Sequence, residues 1–206
     1  MERFAWPMTA AELARFAAIV RSGGIVIVPT DTVYGIAAAP ECAAALARIV
    51  AAKGRDPAKP CQLLSCSASA AERAGVKFSA AGRRVADAFW PGPLTLVLET
   101  SSAARATEGV RVPALAAALA LCEAAGGCLR CTSANKSGEA PALTVEEAVA
   151  AIPEADAAID AGPSPGGVSS TVAAVSARGE VKIFRHGPVD RAALEAAAAT
   201  TGGGGR

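Results

Sequence analysis

Apolar and polar positions alternate along this chain with two periods, and the switches between them mark its elements. Leu13, Phe16, Ala17 and Val20 fall on one face of a helix that Thr9 and Glu12 open as a capping box and Gly23 is placed to stop. The apolar run Ile25 to Val28 predicts a strand, residues 41–52 a helix and "CQLLS" a short strand, so the first third reads as βαβ. Helices near 67–74 and 80–90 run into the stop "WPGP", and strands follow at Leu94 to Glu99 and in "GVRVP". A helix over 114–125, a strand over Cys128 to Thr132 and a helix begun by Thr144 with Glu147 continue the alternation. Strands Ala157 to Asp160, Thr171 to Val175 and Val181 to Phe184, the last two joined by the turn "SARGE", predict an antiparallel finish. The pattern predicts one α/β domain over residues 9–190, built on a mixed parallel and antiparallel sheet with flanking helices. Residues 191–206 are expected to hold a helix remnant and a mobile tail, "TTGGGGR".

Four polar loops break the pattern: "PTDT" after the first strand, "KGRDPAKP" before the second, "TSANKSG" after the Cys128 strand and "GGVSST" before the Thr171 strand. Ligands in open α/β sheets lie at the carboxyl ends of strands, so these loops are expected to face one cavity. Lys53, Arg55 and Lys59 place cations close together, and Arg111 interrupts an apolar strand. Arginine offers a fork for phosphate or carboxylate and lysine a movable point charge, a set that fits a polyanion such as a nucleoside triphosphate. Taken alone, "KGRDPAKP" reads as a solvated loop, and Arg111 equally as half of an internal ion pair. Neither a P-loop nor a GxGxxG fingerprint occurs. "GPSPG" matches the GxSxG elbow only formally, because Pro165 lacks the backbone N–H an oxyanion hole needs and no helix follows.

Composition narrows the choice. With 52% hydrophobic residues the chain of 206 can bury a core. A net charge of +1 gives no long-range pull toward nucleic acid or membrane, so anion binding has to be local. The start has charges spread through it, unlike a signal peptide, and the longest apolar run, Ala114 to Cys122, is too short to span a bilayer. A soluble, cytoplasmic protein without membrane contact is expected. Six cysteines and one histidine form no zinc pattern, and "CLRC" lies on a strand, so no metal site of the protein's own is expected.

Taken in order and spacing, "PTDTVYG", "KGR" with "KP", "FWPGPLTLVL", "VRVP", "TSANKSG", "SSTV" and "IFRHG" resemble the YrdC-like family of threonylcarbamoyl-AMP synthases. The resemblance spans about residues 10–190 and is to the short, single-domain type. It implies a twisted α/β fold around a basic, concave cavity. It also implies a nucleotidyltransferase that makes threonylcarbamoyl-AMP and pyrophosphate from L-threonine, bicarbonate and ATP, with Mg2+ accompanying the ATP. Transfer proteins would then pass the group to tRNA, as threonylcarbamoyladenosine. By the family's pattern Lys53, Arg55 and Arg111 are catalytic; Arg55, Lys59, Thr107, Ser133, Asn135, Pro141 and Arg185 hold ATP; Thr32, Arg111, Cys131 and Ser170 hold threonine. Leu64, His186 and the missing aspartate after "STV" depart from that pattern. Two other readings stay open: an RNA-binding factor, which 4% aromatic residues do not favour, and a paralogue acting on another carbamoyl substrate.

Overall fold

Eleven strands and seven helices are described in a computed structural model covering residues 1–102 and 105–199. In chain order they are β1 (Glu2–Ala5), α1 (Ala10–Arg21), β2 (Val26–Val28), β3 (Gly35–Ala38), α2 (Ala43–Lys53), β4 (Gln62–Ser65), α3 (Ala68–Arg73), β5 (Val76–Lys77) and α4 (Ala80–Phe89). There follow β6 (Leu94–Thr100), β7 (Thr107–Arg111), α5 (Ala116–Ala124), β8 (Cys128–Ser133), α6 (Val145–Ala151), β9 (Ala157–Asp160), β10 (Thr171–Val175), β11 (Val181–Arg185) and α7 (Arg191–Ala199). All strands join one mixed sheet in the order β1-β9-β2-β3-β8-β4-β7-β6-β10-β11, with β5 on β6.

Local chemistry sets the helix ends. Thr9 with Glu12 and Thr144 with Glu147 close both capping boxes expected from the sequence. Gly54 ends α2 in the left-handed conformation (φ 58°), turning the chain sharply into the basic loop.

The first third departs from the expected βαβ unit. Residues 29–34 form a turn, and β3 returns antiparallel to β2, pairing Val28 with Gly35. The short run "GIAA" carries no branched alternation beyond Ile36, which is why its periodicity gave no strand. Elements also lie outside the expected span of 9–190: β1 pairs parallel with β9, and α7 buries Leu194 and Ala198 against α4 and β11. The tail expected to be mobile, residues 200–206, lies outside the described residues.

Three apolar clusters fill the space between sheet and helices. On one face Leu63, Leu94, Leu96, Val110 and Ala173 meet α3, α4 and α7, while Ile25, Ile27 and Ile36 meet α2 and α6. On the other face Val26, Val28, Ala37, Leu64 and Leu129 meet Phe16 and Val20 of α1 and Leu121 of α5. Side chains two apart along a strand share a face, so Gln62 and Thr95 lie on the side away from Leu63 and Leu94. Among the described residues no helical one lines the cleft over this part of the sheet.

Leu194 is fully buried, so Leu194→Ala is expected to cost about 2–5 kcal/mol, read as a lowered urea midpoint. A change below about 0.5 kcal/mol would show that α7 lies loosely on the domain.

Candidate active site

The site starts at the turn between β2 and β3. Its backbone is too tight for ladder bonds, and a hydroxyl takes their place: Thr30 Oγ1 accepts the N–H groups of Thr32 and Val33, both at 3.2 Å, and donates to the Val33 carbonyl at 2.6 Å. Thr32 is thereby fixed beside Arg111, whose side chain is only 2% exposed. Arg111 donates through Nε to the Gly92 carbonyl (3.0 Å), through Nη1 to Thr32 Oγ1 (2.7 Å) and through Nη2 to Asp31 Oδ1 (2.5 Å). A guanidinium carries five N–H groups, so donors remain after these three bonds, and Arg111 lines the cleft while Asp31 does not.

The cleft encloses about 240 Å³, and its floor is made of strand interiors. Cys131 of β8 pairs with Gln62 of β4, and Thr95 of β6 pairs with Val172 of β10, which in turn pairs with Arg185 of β11. The floor is thus a sheet face, where carboxyl ends of strands were expected. The physical reason is the mixed strand direction: β4 runs antiparallel to β8, so the loop entering β4 meets the loop leaving β8. Loop 161–170 closes one side. Ser164 Oγ donates to the Thr30 carbonyl at 3.1 Å, and a Cβ at Gly166 would lie 2.6 Å from the Asp31 carbonyl oxygen, so only glycine permits that approach.

Among the described residues three arginines line the cleft, Arg55, Arg111 and Arg185, and no Asp or Glu does. Arg55 clasps its own loop through the carbonyls of Lys59 and Pro60, each at 3.1 Å. Arg185 donates to the Ser170 carbonyl (3.0 Å) and to Ser170 Oγ (3.1 Å). Burial of its head, and then the like charges of Arg111 and Arg55, push its guanidinium below the ordinary value. Three like charges lining one cleft suit an anion.

The other residues singled out from the sequence divide into two sets. Thr32, Cys131, Ser133 and Ser170 line the cleft with the three arginines. Lys53, Lys59, Thr107, Asn135 and Pro141 do not. Lys53 is buried at the end of α2, where Nζ donates to the carbonyls of Ser133 (2.5 Å) and Asn135 (2.6 Å), tying the β8 loop to the helix. Asn135 donates to the carbonyls of Lys136 and Glu139, and its buried Oδ1 has no partner among the described residues. Lys59 and Thr107 are exposed, and Pro141 is half-buried. Burial pushes the Cys131 thiol up to about 12, so it stays protonated and is no nucleophile at neutral pH. Leu64 packs in the core under α1 and α5, and His186 is exposed.

Sequence reasoning missed Gln62, Thr95 and Gly109 of the floor. The signal was present at Gln62 and Thr95, each a polar side chain in an apolar strand. Thr95 Oγ1 donates to Gln62 Oε1 at 2.7 Å and meets Ser170 Oγ at 2.8 Å. Among the described residues no group of three or more His, Cys, Asp or Glu could hold a metal, and no helix is long and apolar enough to cross a membrane.

The Sua5/YciO/YrdC family model, described as telomere recombination, matches residues 18–187. The chain belongs to the Sua5/YciO/YrdC family. This is the family expected from the motifs. A threonylcarbamoyl-AMP synthase of Rattus norvegicus is 36% identical over 82% of this chain, and one of Chromohalobacter salexigens is 35% identical over 74% of it. The matched part spans 64% of the rat protein and 86% of the bacterial one. Among solved structures, P. abyssi Sua5 complexed with L-threonine superposes with a TM-score of 0.86 at 28% identity, over 95% of this chain and 60% of that one. E. coli YciO, at 23% identity and a TM-score of 0.81, shares the fold over 92% of this chain and 98% of its own.

Lys53, tied to the cleft through the Ser133 carbonyl, should titrate unusually. Burial, reinforced by the like charges of Arg55 and Lys136, lowers its ammonium to about 8. Below that pH both folded and unfolded chains hold the proton, and burying the charge costs stability in full. Between about pH 8 and pH 10.4 only the unfolded chain binds it, so stability rises with pH. Relative to Lys53→Met, the native chain should gain on the order of 2 kcal/mol across that window in urea unfolding. A flat difference would mean that Lys53 titrates like an exposed lysine.

Proposed function

We propose that this chain is a cytoplasmic threonylcarbamoyl-AMP synthase. It joins L-threonine, bicarbonate and ATP into threonylcarbamoyl-AMP and pyrophosphate, the first step toward threonylcarbamoyladenosine in tRNA. Transfer proteins acting on tRNA would consume the product. The observation that carries this reading is Arg111, held on three groups with N–H donors left over at a cleft that Arg55 and Arg185 also line. Two anionic groups at the two ends of one ligand match that arrangement, a carboxylate at Arg111 and phosphates at Arg55 and Arg185.

The chemistry then needs positioning more than a reactive side chain. The neutral amine of threonine and bicarbonate give a carbamate and water. A carbamate oxygen attacks the α-phosphorus, the bond to the β-phosphate oxygen breaks, and pyrophosphate leaves with the electron pair. Holding the reactants in line supplies most of the acceleration, and the guanidinium groups stabilise charge gathering on the leaving phosphates. Mg2+ would accompany the nucleotide and neutralise charge on its phosphates. Thr32 supplies a hydroxyl oxygen beside Arg111, and Ser170 one beside Arg185, for the polar end of the amino acid.

Purified protein with ATP, Mg2+ and bicarbonate should release pyrophosphate only when L-threonine is added, with L-serine a poorer substrate. Release independent of any amino acid, or none at all from folded protein, would overturn the assignment. Arg111→Ala should lower kcat/KM for threonine about ten- to a hundredfold, the effect of losing one charge-assisted contact. Arg111→Lys should not restore it, because a lysine cannot hold Thr32, Asp31 and a carboxylate in one plane. A fully active lysine variant would show that only the positive charge matters.

A further inference from the structure

Two polar side chains of the cleft floor, Gln62 and Thr95, are left without a role by the arginines and the β2–β3 turn. Their hydrogen bonds run in one direction. Arg185 can only donate, and it donates to Ser170 Oγ at 3.1 Å. Thr95 gives its single hydroxyl proton to Gln62 Oε1 at 2.7 Å. The 2.8 Å contact between Ser170 and Thr95 is therefore donated by Ser170. Both hydroxyl protons are spent inside the protein, and each oxygen faces a ligand only as an acceptor. The chain ends at the Gln62 amide, whose Nε2 has no protein acceptor among the described residues, leaving a free donor at the floor.

Gln62 also sits where the two ends of the cleft meet. The loop bearing Arg55 runs into β4, which begins at Gln62, and the neighbouring strand β7 bears Arg111. The floor beside Gln62 is left open by Gly109, where a Cβ would lie 3.7 Å from that of Gln62 and 3.5 Å from Thr95 Cγ2. A ligand with a carboxylate at Arg111 and phosphates at Arg55 has to pass its middle over this point. In the proposed reaction that middle is the one-carbon unit linking the amine to the α-phosphorus.

We propose that the Gln62 amide is the donor that binds an oxygen of bicarbonate and of the carbamate formed from it. The assignment rests on the reading of the cleft as a threonylcarbamoyl-AMP synthase site. Thr95 and Ser170 repel an oxyanion with their lone pairs, and Gln62 accepts it, so the three together set the position and orientation of the carbon. Gln62 is thus a specificity residue for the one-carbon substrate.

Two variants separate this role from a structural one. Gln62→Glu keeps an acceptor for the Thr95 proton but replaces the donor by a negative charge; Gln62→Met removes both at similar size. Michaelis constants for bicarbonate, L-threonine and ATP are measured separately by pyrophosphate release, in buffers stripped of dissolved CO2. The KM for bicarbonate should rise about tenfold in Gln62→Met and further in Gln62→Glu, with the other two within about twofold of the native values. A native bicarbonate KM in Gln62→Glu, or equal rises in all three constants, overturns the proposal. Line broadening of 13C-bicarbonate by the protein, without turnover, gives a reading independent of the reaction. Broadening that Gln62→Glu abolishes supports the oxyanion subsite even if threonine-dependent release fails, and broadening equal in native and variant protein overturns it.

Discussion

Burying a guanidinium costs several kcal/mol unless its donors are met, and Arg111 is buried at the heart of this cleft. Three groups from two separate pieces of chain meet it: Asp31 and Thr32 from the β2–β3 turn, and the Gly92 carbonyl from the segment before β6. The turn can serve only because Thr30 satisfies its backbone internally. Loop 161–170 in turn packs on that turn at Gly166. The polar stretch after the first buried strand is therefore scaffold for one cation.

The mixed sheet gives that cation a setting. Helices cover one face where Leu63, Leu96 and Ile27 lie, and the other face where Val26, Leu64 and Leu129 lie. The remainder is left bare, and its floor residues are Gln62, Thr95, Gly109 and Cys131. A sheet face is rigid on the scale that in-line transfer requires, since each floor residue is held by neighbouring strands on both sides. Loops bring the charges, and strands fix the distances between them.

Much of this architecture was legible beforehand, for identifiable reasons. Capping boxes at Thr9 and Thr144 and apolar runs at Leu94 and Thr171 are local signals, and the same signals operate in the folded chain. The family followed from motifs that keep their order and spacing. What escaped were features made by distant partners. Lys53 was read only as a phosphate ligand, and it also places two of its three donors on carbonyls some eighty residues away in sequence, a pairing no spacing rule reports. The strand "GIAA" escaped because small residues carry no period, although a side chain at Gly35 would collide with Cys131 Sγ at 2.5 Å. Gln62 and Thr95 stood in view as polar breaks in apolar strands, and only the cross-strand register makes them neighbours.

The central claim is that the uncovered sheet face, read out by Arg111, is the amino-acid site. The most direct measurement is a crystal structure of this chain with L-threonine and a non-hydrolysable ATP analogue. The account predicts the threonine carboxylate on the free N–H groups of Arg111, the triphosphate at Arg55 and Arg185, and the Asp31 contact retained. Threonine bound elsewhere, or a carboxylate that leaves Arg111 untouched, would contradict it.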